Sequence, residues 1–201
     1  MATTFLLIRH AAHIHLDKLF SGRMPGVPLS ETGRAQAARL GAALASEPID
    51  RIVHSPLDRT SETAVAIAAA RGSAVPVAAA AGLIEIDLGD WTGRSWQDFF
   101  GDDPAWRDWN ERRGSARIPG GETMGEAQAR IVGCLAALAR EADGRTVAVV
   151  SHSDMIRAAV AHVLELPLDR LLSFDVDVAS VTRVVWGEWG ARLLSLNERR
   201  A

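Results

Sequence analysis

Residues 6–17 read LLIRHAAHIHLD, an apolar run that ends in Arg9 and is followed by His10, His13 and His15. A neutral imidazole is a nucleophile and a proton carrier, and it is also a common metal ligand. The metal reading is the weaker one. A His-x-x-His-x-His run in a loop rich in Gly and Pro is not a specific ligand spacing, and the neighbouring cations would repel a metal ion. Further along stand HSPLDRTSET with Arg59 and SHSD with His152. The stretch LIEIDLGDWTG brings three carboxyls, Glu85, Asp87 and Asp90.

These residues need elements to bring them together. Short apolar runs at 5–8, 51–53 and 146–150 predict buried strands, each followed by a polar turn and a helical pattern. The helices are predicted over 31–46, 58–70 and 154–164, the first with Ser30 as N-cap and Gly33 near its start. A fourth helical stripe runs through Met124, Ala127, Ile131, Leu135 and Leu138. Residues 180–186 and 191–196 predict a terminal hairpin, and a further strand is expected near 75–78. The Ala-rich runs AIAAA and VAAAAG read as helix end and connection. The alternation predicts one α/β domain over 1–201, a three-layer α/β/α sandwich with a mainly parallel sheet. Segment 94–120, with Trp96, Trp106 and Trp109 among many charges, breaks the rhythm and predicts a helical insertion, a candidate lid over one end of the sheet.

In open α/β sheets ligands bind beyond the carboxyl ends of the strands. There the three strand ends deliver Arg9, His10, Arg59 and His152 to one edge. A helix N-terminus behind His152 adds to a positive pocket suited to a small phosphorylated ligand. Guanidinium forks neutralise phosphoryl oxygens, an imidazole attacks phosphorus in line, and a protonated carboxyl gives the leaving alkoxide its proton.

Several blocks carry a family resemblance. LLIRHA, GVPLSETGRAQAARLGAAL, SPLDRTSETAVAIA, LIEIDLGDWTGRSW, PGGETMGEAQAR and VVSHSDMIRAAVAHVLELP occur in this order. Together they resemble the blocks of the histidine phosphatase (phosphoglycerate-mutase-like) superfamily. The resemblance implies that His10 becomes phosphorylated and that Glu85 donates the proton. It implies that Arg9, Arg59 and His152 form the phosphate pocket, and that Ser21 and Gly22 belong to a loop closing on substrate. It implies no metal and no organic cofactor. Three departures stand out: Ala11 replaces a glycine, His13 and Leu16 occupy places where polar phosphate contacts are expected, and Ser153 replaces a glycine. His13 and Ser153 are therefore candidate substrate contacts.

The rest of the chain is bland by comparison. A net charge of −3 argues against a general nucleic-acid binder. There is no basic leader and no long apolar run, so neither export nor membrane insertion is expected, and the default location is cytoplasmic. The lone Cys134 excludes an internal disulfide and flanks the apolar face of its helix as a small packing residue. His54 and His162 read as structural, and Arg107, Arg112, Arg113 and Arg117 as a solvated helix face. Tyrosine is absent beside six tryptophans. The expected partner is a small phosphorylated substrate, with the chain a monomer or a homodimer through its terminal hairpin. The expected activity is phosphomonoester hydrolysis through a phosphohistidine. A phosphoglycerate mutase and a non-catalytic phospho-ligand binder are the alternatives.

Overall fold

The computed structural model describes residues 1–99 and 103–199. Strand β1 (Thr3–Arg9) is followed by helix α1 (Glu31–Ala43), β2 (Arg51–His54) by α2 (Asp58–Ala69), and a short β3 spans Val77–Ala79. Helix α3 (Pro104–Glu111) precedes α4 (Met124–Glu141), β4 (Thr146–Ser151) and α5 (Ser153–Val163). The chain closes on β5 (Ser180–Gly187) and β6 (Gly190–Arg199). The sheet order is β3-β2-β4-β1-β5-β6. Pairs β1–β4, β2–β4 and β2–β3 are parallel, and β1–β5 and β5–β6 are antiparallel. The mainly parallel sheet is the one expected.

Alternation along the central strands builds both outer layers. Phe5 and Leu7 of β1 and Val147 and Val149 of β4 face one cluster, shared with Ile131 and Leu135 of α4 and Ile156 of α5. Leu6, Ile8, Ala148 and Val150 face the other, shared with Ala37 and Leu40 of α1 and Ala64 and Ile67 of α2. The four β1 side chains are at most 1% exposed. Each such burial is worth about 1.5–3 kcal/mol, which makes the central strands rigid supports for whatever follows them.

Helix ends follow local chemistry. The Ser30 hydroxyl accepts from the Gly33 amide at 3.0 Å, as its N-cap position predicts. Thr123 and Glu126 close a reciprocal capping box on α4. Helix α1 stops at Ala43, short of the expected 46. Helix α5 begins at Ser153, directly behind His152, with no side-chain cap.

One expectation needs correction. Part of VAAAAG, read as a connection, is strand β3. Alanine has little intrinsic strand preference, but the open edge of β2 supplies backbone partners: Ile52 N–H donates to Pro76 O at 2.9 Å and Ala80 N–H to His54 O at 2.8 Å. Of the insertion expected at 94–120, positions 100–102 lie outside the described residues, as do 200–201. The remainder holds a single-turn helix at Trp96–Phe99 and the helix α3, which begins at Pro104 with Asp103 as its cap.

Candidate active site

Register brings the histidines together. Arg9 is paired with Ser151 across β1 and β4, so the next residues, His10 and His152, leave the sheet side by side. Their ring centroids lie 5.2 Å apart. On the other side of β4, the Ser55 amide donates to Val150 O at 3.0 Å and turns the chain into α2, whose first turn carries Arg59. All of this happens at the carboxyl end of the sheet, where a cavity of about 410 Å³ opens.

His10 is 3% exposed. Its Nδ1 lies 2.8 Å from the Ala11 carbonyl oxygen, which accepts only, so Nδ1 carries the proton. The lone pair is thereby left on Nε2, toward which Arg59 Nε donates at 3.3 Å. Burial, then Arg59 and Arg9, hold the imidazole well below its ordinary pKa. The result is a neutral ring whose unprotonated Nε2 accepts from Arg59 at the cavity.

Arg59 is 2% exposed and central. Its Nη2 donates to Gly22 O at 2.8 Å and lies 3.3 Å from His152 Nδ1. A guanidinium only donates, so His152 Nδ1 accepts and its Nε2–H donates to Ser55 Oγ at 2.8 Å. Arg9 donates from Nη1 to Val176 O at 2.8 Å. Arg9 Nε and Arg59 Nη1 are buried with no acceptor. An unmet buried donor costs about 1–3 kcal/mol. Two of them beside a neutral imidazole describe a cradle for an anion with several oxygens.

Glu85 is the carboxyl that reaches the cavity. Its Oε1 accepts from the Ile86 amide at 3.0 Å, and Oε2 lies 3.6 Å from His152 Nδ1. Burial first, then the charge of Asp154, push its pKa up to about 7. The other two carboxyls are placed elsewhere. Asp87 accepts from the Gly89 amide and pairs with Arg23, and Asp90 is exposed. Two arginines fix the strand of chain that carries Glu85. Arg130 donates to Ile84 O at 2.6 Å, and Arg23 donates to Glu85 O at 2.8 Å.

The remaining predicted positions also line the cavity. Gly22, at φ +44°, turns its carbonyl onto Arg59, and the neighbouring Ser21 is buried. His13 Nδ1 accepts from the His15 amide at 3.2 Å, which leaves the ring proton on Nε2. Burial and then Arg59 lower its pKa to about 4. Leu16 and Ser153 complete this part of the wall. The three clustered histidines do not converge: centroids of His10 and His13 are 5.4 Å apart, and those of His13 and His15 are 6.5 Å apart. Among the described residues no group of three or more His, Cys, Asp or Glu is arranged to hold a metal ion.

His54 donates to Ser55 O, and His162 stacks on Trp186, both outside the cavity wall. The arginines of the insertion do not share one solvated face. Arg107, Arg112 and Arg117 are exposed, but Arg113 is 5% exposed and lines the cavity. Asp154 and Arg157 join it there. The latter two carried a signal, since they fall in the first two turns of the helix behind His152. Arg113 carried none that separated it from Arg112.

A six-stranded α/β/α sandwich with this cluster at the carboxyl ends of its strands belongs to the phosphoglycerate-mutase-like phosphatases. The model of the histidine phosphatase superfamily (branch 1) matches residues 5–199, and the chain belongs to that family; the enzyme is a phosphatase. It is 34% identical to phosphoserine phosphatase 1 of Hydrogenobacter thermophilus, over 96% of this chain and 90% of that protein. It is 30% identical to the adenosylcobalamin/alpha-ribazole phosphatase of Salmonella typhimurium, over 96% and 95% respectively. Among solved structures, the mycobacterial glucosyl-3-phosphoglycerate phosphatase superimposes with a TM-score of 0.84 at 29% identity, covering 98% of this chain and 99% of that one.

Proposed function

We propose that the enzyme hydrolyses phosphate monoesters of small metabolites through a phosphohistidine at His10, with no metal. The observation that carries this reading is the unprotonated Nε2 of His10, held by Arg59 Nε, beside the two unmet donors Arg9 Nε and Arg59 Nη1. Relatives named for phosphoserine and alpha-ribazole phosphates support a small phosphorylated substrate.

Arg9 and Arg59 take the phosphoryl oxygens, and Arg59 Nε leaves the lone pair of His10 free. Nε2 then forms its bond to phosphorus as the ester P–O bond breaks. Protonated Glu85 gives its proton to the departing oxygen, which leaves as an alcohol. The Nδ1–H bond to Ala11 O stabilises the charge that the ring acquires. In the second half, Glu85 takes a proton from water as the water oxygen attacks phosphorus, and the P–N electron pair returns to Nε2. Inorganic phosphate is released. The Ser55 hydroxyl accepts from His152 Nε2–H, which keeps the ring neutral with Nδ1 turned to Arg59 and holds that guanidinium in place for the phosphoryl oxygens.

The test is turnover of an aryl phosphate with chelator present, comparing wild type with His10→Ala. The variant is expected to lose more than about a thousandfold in kcat, as removal of an attacking group does. Wild type quenched in alkali, where a phosphoramidate survives, should carry phosphate on His10. Turnover retained in the variant, or abolished by chelator in wild type, overturns the reading.

A further inference from the structure

Glu85 is placed by its backbone. Among the described residues its carboxyl makes one hydrogen bond, from the amide of its own neighbour Ile86. Its approach to His152 Nδ1, at 3.6 Å, is beyond hydrogen-bond reach. The carboxyl therefore stands where residues 85 and 86 put it.

Those residues are tied to the loop that holds Arg59. Residues 20–23 run against the segment 85–94 and bond to it at both ends. Phe20 donates to Arg94 O at 2.9 Å, and its carbonyl accepts from the Gly93 amide at 2.7 Å. Between the ends, a Cβ on Gly22 would lie 3.1 Å from Thr92 Oγ1 and 3.3 Å from Leu88 Cβ, so the segments touch there too. At the other end the Arg23 guanidinium is engaged by all three nitrogens. Nε donates to Glu85 O at 2.8 Å, Nη1 to Asp87 Oδ2 at 3.2 Å, and Nη2 pairs with Glu122 Oε1 at 2.9 Å. Glu122 pairs in turn with Arg130 of α4 at 2.9 Å, which roots the cluster in a core helix. The carbonyl just before Arg23, Gly22 O, accepts from Arg59 Nη2 at 2.8 Å. One peptide thus joins the oxygen that holds Arg59 to the side chain that holds the backbone of Glu85.

We propose that Arg23 is a positioning residue for proton transfer, fixing the Glu85 carboxyl at a set distance from a phosphoryl group held by Arg59. The inference rests on the reading of Glu85 as proton donor. Arg23 is not among the residues that line the cavity, so it acts through Glu85 and not on the substrate. A donor must lie within hydrogen-bond reach of the departing oxygen, and a misplacement of ~1 Å costs about a hundredfold in rate. A planar fork is suited to the task, because three acceptors around one plane fix its orientation. Without it, Arg130 still donates to Ile84 O at 2.6 Å and to Glu85 O at 3.3 Å. The segment then stays folded while its tie to the Arg59 loop is lost.

The experiment measures kcat/KM on nitrophenyl, phenyl and ethyl phosphate, whose leaving groups need increasing help from an acid. Arg23→Met is expected to lose about thirtyfold on the ethyl ester and only about threefold on the nitrophenyl ester. Arg23→Lys should fall between, because the charge remains and the fork is lost. Affinity for inorganic phosphate should stay within about threefold of wild type, which separates orientation from binding. In a Glu85→Gln background, Arg23→Met should cost less than about threefold on every ester, since the acid that it orients is already gone. A loss equal on all three esters, a loss that adds in full to that of Glu85→Gln, or a phosphate affinity that falls as far as turnover overturns the inference alone. A Glu85→Gln enzyme with the leaving-group dependence of wild type overturns the proton-donor reading, and this inference with it.

Discussion

The proton on His10 Nδ1 and the proton on Glu85 have opposite origins. The first is pinned by a carbonyl at 2.8 Å, and the second is retained because burial disfavours the carboxylate. With Glu85 near 7, its acid form falls away as pH rises through neutrality. The rate of ester cleavage should therefore fall on the alkaline side, with a limb near pH 7. Glu85→Gln should remove that limb and lower kcat by about a hundredfold or more for alkyl esters. Aryl phosphates, whose leaving groups need less protonation, should suffer less. A pH–rate profile of Glu85→Gln that keeps the wild-type limb would reassign the proton donor. The same group bears on stability. Its folded pKa lies above its unfolded value of 4.5, so the folded state loses stability as pH climbs from there toward 7. Denaturant melts should show Glu85→Gln gaining on wild type at pH 8 and not at pH 4.

At the scale of elements, the site depends on close approach of backbone to backbone. A Cβ on Gly33 would lie 1.7 Å from the Ala12 carbonyl oxygen, so the first turn of α1 touches the loop that leaves His10. Gly33→Ala should destabilise the fold by about 1–3 kcal/mol and lower activity as well, because the loop must move. Ser30→Ala removes the cap and the hydroxyl's bond to Ala12 O at 3.2 Å but leaves the backbone approach intact, and should cost about 1 kcal/mol with turnover less changed than in Gly33→Ala. Chemical denaturation beside kinetics separates the two. These elements were legible in the sequence because each is local: a β-branched or leucine-rich run, a turn, a cap and a helical stripe within a few dozen residues. Arg9, His10, Arg59 and His152 were legible for the same reason, since each sits within a few residues of a strand end. Strand β3 was legible only in part, because the partner strand β2 supplies its hydrogen bonds. Arg113 was not legible at all. Whether it or Arg112 turns inward is decided by Trp109, which packs against residues far away in sequence, and by Asp154 on another helix.

The whole molecule holds its charge unevenly. A chain of net charge −3 concentrates Arg9, Arg59, Arg113 and Arg157 around one cavity, with Asp17, Glu85 and Asp154 as the carboxyls beside them. An anion that fills the cavity should tie the layers together. Inorganic phosphate is expected to raise the melting temperature, with a shift that grows as the logarithm of its concentration once the site is saturated. Arg59→Met should abolish most of that shift, and a thermal scan across phosphate concentrations reads it. The buried histidines act in the other direction. His10 and His152 both titrate well below 6.5 when folded, so the unfolded chain takes up protons that the folded one refuses. Stability should fall as pH drops below about 6.5, most steeply without phosphate.

The aromatic wall of the cavity has an optical consequence. The chain has no tyrosine, so its near-ultraviolet emission belongs to six tryptophans. Trp91, Trp96, Trp106 and Trp109 form one ring cluster with Phe20, with centroids of successive partners between 4.0 and 6.1 Å. Three of these indoles face the same space as His10, and one lies under the Arg113 guanidinium. Excitation energy migrates readily between indoles this close, so a quencher at any one of them darkens the group. The protein thus carries an unlabelled reporter at the mouth of its own cavity, and the filling and emptying of that cavity can be followed in real time by intensity and anisotropy alone.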